Sequence, residues 1–413
     1  MKSIMSSDTK ADVIVAGLGA HGSATAYHLA KRGKRVIGFD QFRPPHARGS
    51  SHGRGRVIRT AYSEGPAYVP IVQRAMQLWR ELERESGENF LRITGGITMG
   101  PEDSPGLAGI MRSARAYGLP HEPMTAAEIR QRWPVFRPTD GMVGVHEPDN
   151  GALFPEKCIS AHLKLAAEAG ADLHVEEPLL SWKATPGGGV EVRTPKGAYS
   201  ADRLVLTVGA WLPKMLGAGD LSDEALRPDQ GAQSQGGLTL PLRIERQVLH
   251  WFEPARNAAA FLPANCPNNS WEFEPGKLFY CQANFGDGFK VAFHHMGVDM
   301  DPDSPPGSAI RSVSPQEAGE MRAALQKYIP DAAGRHIGAV VCMYTDTPDF
   351  HFIVDLHPVH KQIVIGSPCA GHGFKFAAAM GEILADLALD GRTRHDISLF
   401  NVGRFPSQKP ERP

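Results

Sequence analysis

The stretch over residues 11–40, ADVIVAGLGAHGSATAYHLAKRGKRVIGFD, limits the possible folds more than any other part of the chain. The apolar run Val13-Ile14-Val15-Ala16 predicts a buried strand, and Gly17-x-Gly19-x-x-Gly22 follows it directly. An Ala-rich segment reaching Lys31-Arg32 predicts a helix stopped by Gly33, and residues 35–39 predict a second strand that ends at Asp40. These are the parts of a βαβ dinucleotide-binding unit, in order. Gly17 permits the tight turn, Gly19 lets backbone approach a pyrophosphate, and Gly22 lets the helix sit close on the strand. The helix N-terminus offers unpaired N–H groups to the phosphates, and Asp40 can accept from ribose hydroxyls. The string points to an adenine dinucleotide without separating FAD from NAD.

The remaining length sets the architecture around that unit. At 413 residues the chain fits two domains, each able to bury a core. A net charge of −1 gives no basic excess for nucleic acid, and no apolar run reaches the roughly 18 residues of a membrane span. The N-terminal MKSIMSSDTK lacks the apolar centre of a signal peptide. Five cysteines (Cys158, Cys266, Cys281, Cys342, Cys369) show no CxxC spacing, so neither a disulfide framework nor a metal site is expected. A cytoplasmic enzyme is the expectation.

In chain order, residues 43–65 hold two prolines, four glycines and five arginines, and read as an irregular loop. The loop leaves the end of the second strand, where such sheets bind ligands. Residues 68–85 predict an amphipathic helix with Ile71, Ala75, Leu78 and Leu82 on one stripe. Further helices are predicted over 107–117, 156–169, 315–328 and 373–389. Strands are predicted over 96–99, 172–175, 190–192, 204–208, 337–344 and 362–365. Strand-like alternation over 240–295 predicts an antiparallel sheet, and the polar stretch 219–237 a surface loop. These signals divide the chain into a nucleotide-binding part (11–91, 149–218, 331–404) interleaved with a substrate part (92–148, 219–330).

Three clusters could carry chemistry. Strand parity puts Lys290 and His294 on one face, opposite Phe289, Val291 and Phe293, and puts Cys342 and Tyr344 on a common face. Gly371-His372-Gly373-Phe374-Lys375 opens the last helix and could meet an anion. A solvent-facing lysine, a small buried cysteine and an ordinary glycine-rich helix start account for the same residues. The residues alone leave both readings open.

Four segments carry a resemblance that goes further: DQFRPPHARGSSHGRGRVIRTAYSEG, GVHEPDNGALFPEKC, CMYTDTPDFHFIVDLHP and GHGFKFAAAMGEILADLALDGRTRHDISLF. The chain resembles the flavoprotein amine oxidases of the monomeric sarcosine oxidase type, which include N-methyltryptophan oxidase and, more distantly, fructosyl-amino-acid oxidases. The resemblance implies an α/β protein of D-amino-acid-oxidase-like fold. A Rossmann-type FAD domain would interleave with an α+β substrate domain carrying a mostly antiparallel sheet. It implies FAD bound covalently through Cys342, with Gly17, Gly19, Gly22 and Asp40 holding the ADP half. Ser50, His52, Arg56, Gly371, His372, Gly373 and Lys375 match positions around the flavin. Lys290 matches a lysine that promotes reaction of reduced flavin with O₂, where a cation stabilises developing negative charge. Arg59 and Lys375 match a pair that grips a substrate carboxylate, and Tyr280, His294 and Tyr344 match residues lining the substrate cavity.

The implied reaction is oxidation of a secondary amine, an N-methyl or N-alkyl amino acid, by a monomeric enzyme that passes electrons to O₂. A fructosyl-amino-acid oxidase or a cyclic imino-acid (pipecolate- or proline-like) oxidase would share the flavin residues. A flavin dehydrogenase using another acceptor, a NAD-dependent dehydrogenase and a non-catalytic binding protein are the remaining alternatives. The chain departs from the family pattern at Ser51, which replaces a histidine, in the CQANFGDGF loop, at 219–237, and at Pro368-Cys369. All four lie where a substrate pocket is built.

Overall fold

The computed structural model describes residues 10–217 and 238–405. The polar stretch 219–237 falls outside them. Strand β1 (Lys10–Ala16), helix α1 (Ala20–Lys31) and strand β2 (Val36–Asp40) form the expected unit, with Val13 paired to Val36 and Ala16 to Phe39 in parallel. A Cβ at Gly22 would lie 1.7 Å from the Gly17 carbonyl oxygen, so only glycine lets α1 leave the turn this closely. Gly17 has φ +85° and carries the same restriction.

Around this unit lies an eight-stranded sheet. Gly197–Leu206 pairs parallel with β1, Asp172–Val175 pairs parallel with β2, and Ile363–Ser367 pairs parallel with Gly197–Leu206. Every residue of β2 and of Ile363–Ser367 is buried, as expected for parallel strands covered on both faces. Part of that cover is α1 and the C-terminal helix Ala377–Asp390, which meet where a Cβ on Gly381 would stand 2.5 Å from Ala24 Cβ. Helix α2 (Val69–Ser86) buries Ile71, Ala75, Leu78 and Leu82 on the predicted stripe. None of the helices in the described residues is long and apolar enough to cross a membrane.

The second layer is a nine-stranded, mostly antiparallel sheet. Arg243–Phe252, Phe289–His294, Lys277–Gln282 and Asn268–Glu274 follow one another as antiparallel neighbours. One parallel pairing, Asn268–Glu274 with Gly96–Pro101, links this set to Met142–Glu147 and Glu122–Thr125. The strand His336–Asp346 belongs here by its pairing along Arg243–Phe252, although the sequence division put 331–404 with the nucleotide-binding part. The chain crosses to the parallel sheet only after Asp346, and that crossing leaves Cys342 and Tyr344 at the junction of the layers. One stretch of the 43–65 loop is ordered into a short strand, Arg56–Ile58, through pairing with Gly151–Leu153. The last helix starts with a 3-10 turn, Phe374–Phe376, before Ala377–Asp390.

Candidate active site

Two cavities meet at the junction of the sheets. One, of about 370 Å³, is lined by Gly17, Gly19, Asp40, Ser50 and Thr207 among others. The other, of about 350 Å³, runs past Arg56, Arg59, Tyr280, Cys342, Tyr344 and Lys375. Ser50, Ser51 and Cys369 line both, so the cavities adjoin.

The first cavity fits the ADP half of FAD. A Cβ on Gly19 would find nothing within 4 Å, so the backbone faces open space where a pyrophosphate can approach. Gly22 does not line the cavity; its part is the close packing of α1 on the turn. Asp40 lines the cavity with a further task that the sequence did not show. Its Oδ2 accepts from Leu18 N at 2.8 Å and its Oδ1 from Phe42 N at 2.8 Å, which ties the glycine turn to the loop that follows β2. His21, within the glycine fingerprint, reaches the Gly373 carbonyl at 3.5 Å and links the turn to the C-terminal helix start. Burial lowers its pKa to about 4.

The second cavity gathers most of the expected flavin and substrate residues. Cys342 is 1% exposed, and Arg56 Nη2 donates both to its Sγ (3.5 Å) and to the Ser50 carbonyl (2.7 Å). Tyr344 stands two residues on, with its hydroxyl 3.1 Å from His294 Nδ1, and Tyr280 meets His294 edge-on. Burial first, and the neighbouring His295 next, push the His294 pKa well below its ordinary value, so the ring is neutral. Gly371 sits at φ +72°, where a Cβ would meet Tyr344 at 2.8 Å. His372 Nδ1 lies 2.6 Å from the Tyr62 hydroxyl and its Nε2 3.1 Å from the Phe350 carbonyl, and burial lowers its pKa to about 4.

Two cations share one end of this cavity. Arg59 donates to Ser63 Oγ at 2.8 Å and has Glu64 Oε2 at 3.9 Å. Lys375 donates to the His372 carbonyl at 2.8 Å, and its Nζ lies 5.2 Å from the centre of the Tyr62 ring. Burial, reinforced by Arg59, pushes the Lys375 pKa down to about 7. Burial pushes the other way on Glu147, raising its pKa to about 7. Glu64 is held down at about 2 against its burial by His372, Arg59, Ser63 and Lys375. A ligand carboxylate would complete the charge balance at Arg59 and Lys375.

Lys290 and His52 lie apart from this lining. Lys290 is 3% exposed, not solvent-facing, and its Nζ donates to the Gly53 and Gly55 carbonyls at 2.8 and 2.5 Å. Burial and then Arg56 lower its pKa well below the usual lysine value. His52 lines two neighbouring clefts instead, with its buried Nε2 unpartnered; burial followed by Arg56 lowers its pKa to about 3. Glu64 and His295, which line the cavity, and Glu147, whose charge reaches Lys375, carry no sequence signal, because only the fold brings them to this site.

A family model described as FAD dependent oxidoreductase matches residues 12–387. The chain is 41% identical to a monomeric sarcosine oxidase of Streptomyces avermitilis over 398 residues, 95% of this chain and 97% of the relative. It is 33% identical to an N-methyl-L-tryptophan oxidase of Yersinia pestis over 395 residues, 95% of this chain and 99% of the relative. Among solved structures, NikD, an unusual amino acid oxidase, superposes with a TM-score of 0.77 at 24% identity, over 95% of this chain and 97% of that one. The L-proline dehydrogenase of P. horikoshii superposes with a TM-score of 0.79 at 20% identity, over 96% and 98%.

Proposed function

The chain belongs to the FAD dependent oxidoreductase family, and on that premise we propose that it oxidises the secondary amine of an N-methyl or N-alkyl amino acid, with O₂ as electron acceptor. The observation that carries the reading is the pairing of Arg59 and Lys375 in the cavity that Cys342 and Tyr344 also line. The relatives named for sarcosine and N-methyl-L-tryptophan support the same substrate class.

FAD, when bound, would supply a two-electron acceptor for oxidation of the carbon beside the amine nitrogen, so that the substrate would end as an aldehyde and an amine after hydrolysis of the imine and O₂ as H₂O₂. Arg59 and Lys375 bind the carboxylate and fix the amine's position. Tyr344, His294 and Tyr280 wall the reacting end, and the neutral His294 together with the two cations favours the uncharged amine. Arg56 and Cys342, in contact at the cavity wall, would hold the flavin ring, with Cys342 as its covalent anchor through sulfur. Lys290, lodged beneath the Gly53–Gly55 loop, supplies a proton and positive charge as O₂ is reduced. The enzyme acts as a monomer, as the name of its sarcosine-oxidising relatives says of them.

The test is a screen for H₂O₂ and aldehyde with sarcosine and longer N-methyl amino acids, run beside proline, pipecolate and fructosyl amino acids. Turnover confined to the N-methyl series is expected. Turnover confined to the cyclic or fructosyl series, or reduction of the flavin without peroxide, would replace the reading.

A further inference from the structure

Behind the cavity wall three ionisable side chains converge from different parts of the nine-stranded sheet. Glu245 lies on Arg243–Phe252 and pairs with Tyr344, while Asp346 lies two residues beyond Tyr344 on His336–Asp346. The two carboxylates are therefore diagonal neighbours on one face. His295 follows Phe289–His294 with φ +52°, a left-handed turn that brings its ring over the same spot.

Glu245 and Asp346 are 1% and 3% exposed. His295 Nδ1 stands 3.5 Å from Glu245 Oε2 and 3.7 Å from Asp346 Oδ2, and one donor atom from each residue lies within 4.8 Å of the other two. Glu245 Oε1 is engaged by Gln247 Nε2 and Gly297 N, and Arg243 Nη1 approaches Oε2 at 3.7 Å. Neither oxygen of Asp346 has a hydrogen-bond partner, and His295 Nδ1 has none either.

The two histidine separations are longer than the usual N–H···O hydrogen bond, which runs to about 3.2 Å. They suit a metal ion: with ligands at about 2.0–2.2 Å, adjacent donor atoms of a tetrahedral zinc site stand about 3.3–3.6 Å apart. One imidazole with two carboxylates is a donor set for zinc or its transition-metal neighbours, whereas magnesium and calcium take all-oxygen shells. We propose that Glu245, His295 and Asp346 form a buried site for a divalent metal ion of the zinc class. The ion neutralises the two buried carboxylates and fixes His295, whose ring packs on Tyr344 and Phe350 and stands where a Cβ on Gly371 would be 2.9 Å from Nε2. It thus pins one wall of the cavity, and the inference does not depend on which amine is oxidised. No sequence spacing announced it, because the ligands come from two strands and from the turn that follows a third.

The test uses the untagged full-length flavoprotein. Elemental analysis after desalting should find about one zinc per chain, removable by a chelator and restored on titration with zinc alone. X-ray absorption at the zinc edge should report one imidazole nitrogen and carboxylate oxygens without sulfur. Asp346→Asn and Glu245→Gln should each weaken zinc binding at least about tenfold, with retained flavin absorbance reporting an intact fold. A wild-type protein that takes up no zinc overturns the proposal, leaving a proton shared between Asp346 and Glu245 as the neutralising charge. Sulfur in the coordination shell, or zinc affinity unchanged in Asp346→Asn, overturns it as well.

Discussion

Arg56 Nη2 lies 3.5 Å from Cys342 Sγ, although the two residues are 286 positions apart in the chain. The Ser50 carbonyl holds the same corner, accepting from Arg56 at 2.7 Å and from the thiol at 3.5 Å. These two contacts fix the sulfur in the cavity wall, and that sulfur is the nucleophile in any bond it makes to flavin. Acid precipitation of the wild-type protein is therefore expected to leave its yellow colour in the pellet. Cys342→Ser should release FAD to the supernatant, and Arg56→Met should lower the fraction attached. Colour released from the wild type would remove Cys342 as a covalent anchor.

Lys290 is expected to act on the oxygen half-reaction alone. Its ammonium is buried against two carbonyls and destabilised by Arg56, so it is poised to gain from negative charge nearby. Lys290→Met should leave anaerobic flavin reduction by substrate near its wild-type rate and slow reoxidation about 10²- to 10³-fold, the usual cost of losing one preorganised electrostatic partner. Because the pKa is lowered, the wild-type reoxidation rate should fall as pH rises, and earlier than an ordinary lysine would dictate. Stopped-flow reoxidation at a series of pH values measures both effects, and equal rates in Lys290→Met and wild type would dismiss the assignment.

Gly22→Ala probes the fingerprint itself. The added Cβ would sit 1.7 Å from the Gly17 carbonyl oxygen, a backbone atom that cannot swing aside. The substitution should cost about 3 kcal/mol or more and give little flavin-loaded protein. Gly19→Ala meets open space and should spare the fold while weakening FAD, since the methyl enters the region kept for pyrophosphate. Thermal melts with and without added FAD separate the two outcomes.

What the sequence made legible follows from the range of the interactions. The βαβ unit, the α2 stripe and the helix at Pro315–Tyr328 rest on local periodicity and caps, and each stands within a residue or two of its expected place. Strand parity separated Lys290 from Phe289 and Val291, yet could not say that the polar face would be buried, because the Gly53–Gly55 loop that covers it is remote in the chain. The membership of His336–Asp346 in the antiparallel sheet is likewise a long-range fact, written in its pairing with Arg243–Phe252. Glu64, Glu147 and His295 carry no motif at all. Their importance arises only where two cations, two carboxylates and a left-handed turn are folded together.

The two cations should differ in how they respond to pH. Arg59 offers a planar guanidinium fork that meets a carboxylate with two parallel hydrogen bonds. Lys375 is brought down to about 7 by burial and by Arg59, partly opposed by Glu64 and Glu147. Its protonated form is the one that binds carboxylate, so binding is strongest below this pKa and weakens as pH rises through it; a bound carboxylate lifts the pKa and moves the end of the transition higher. Inhibition by a small carboxylate without an amine, such as propionate, isolates this effect from titration of the substrate nitrogen. Its Ki should rise about tenfold from pH 6 to 9, a loss near 1.4 kcal/mol. Lys375→Gln should flatten that profile at the weak-binding level, while Arg59→Gln should weaken binding by about 2–4 kcal/mol and move the fall-off to higher pH, because the charge that helps lower the Lys375 pKa is gone. A wild-type Ki that does not change with pH would show that Arg59 alone carries the carboxylate, and a steep profile surviving in Lys375→Gln would assign the titration to another group.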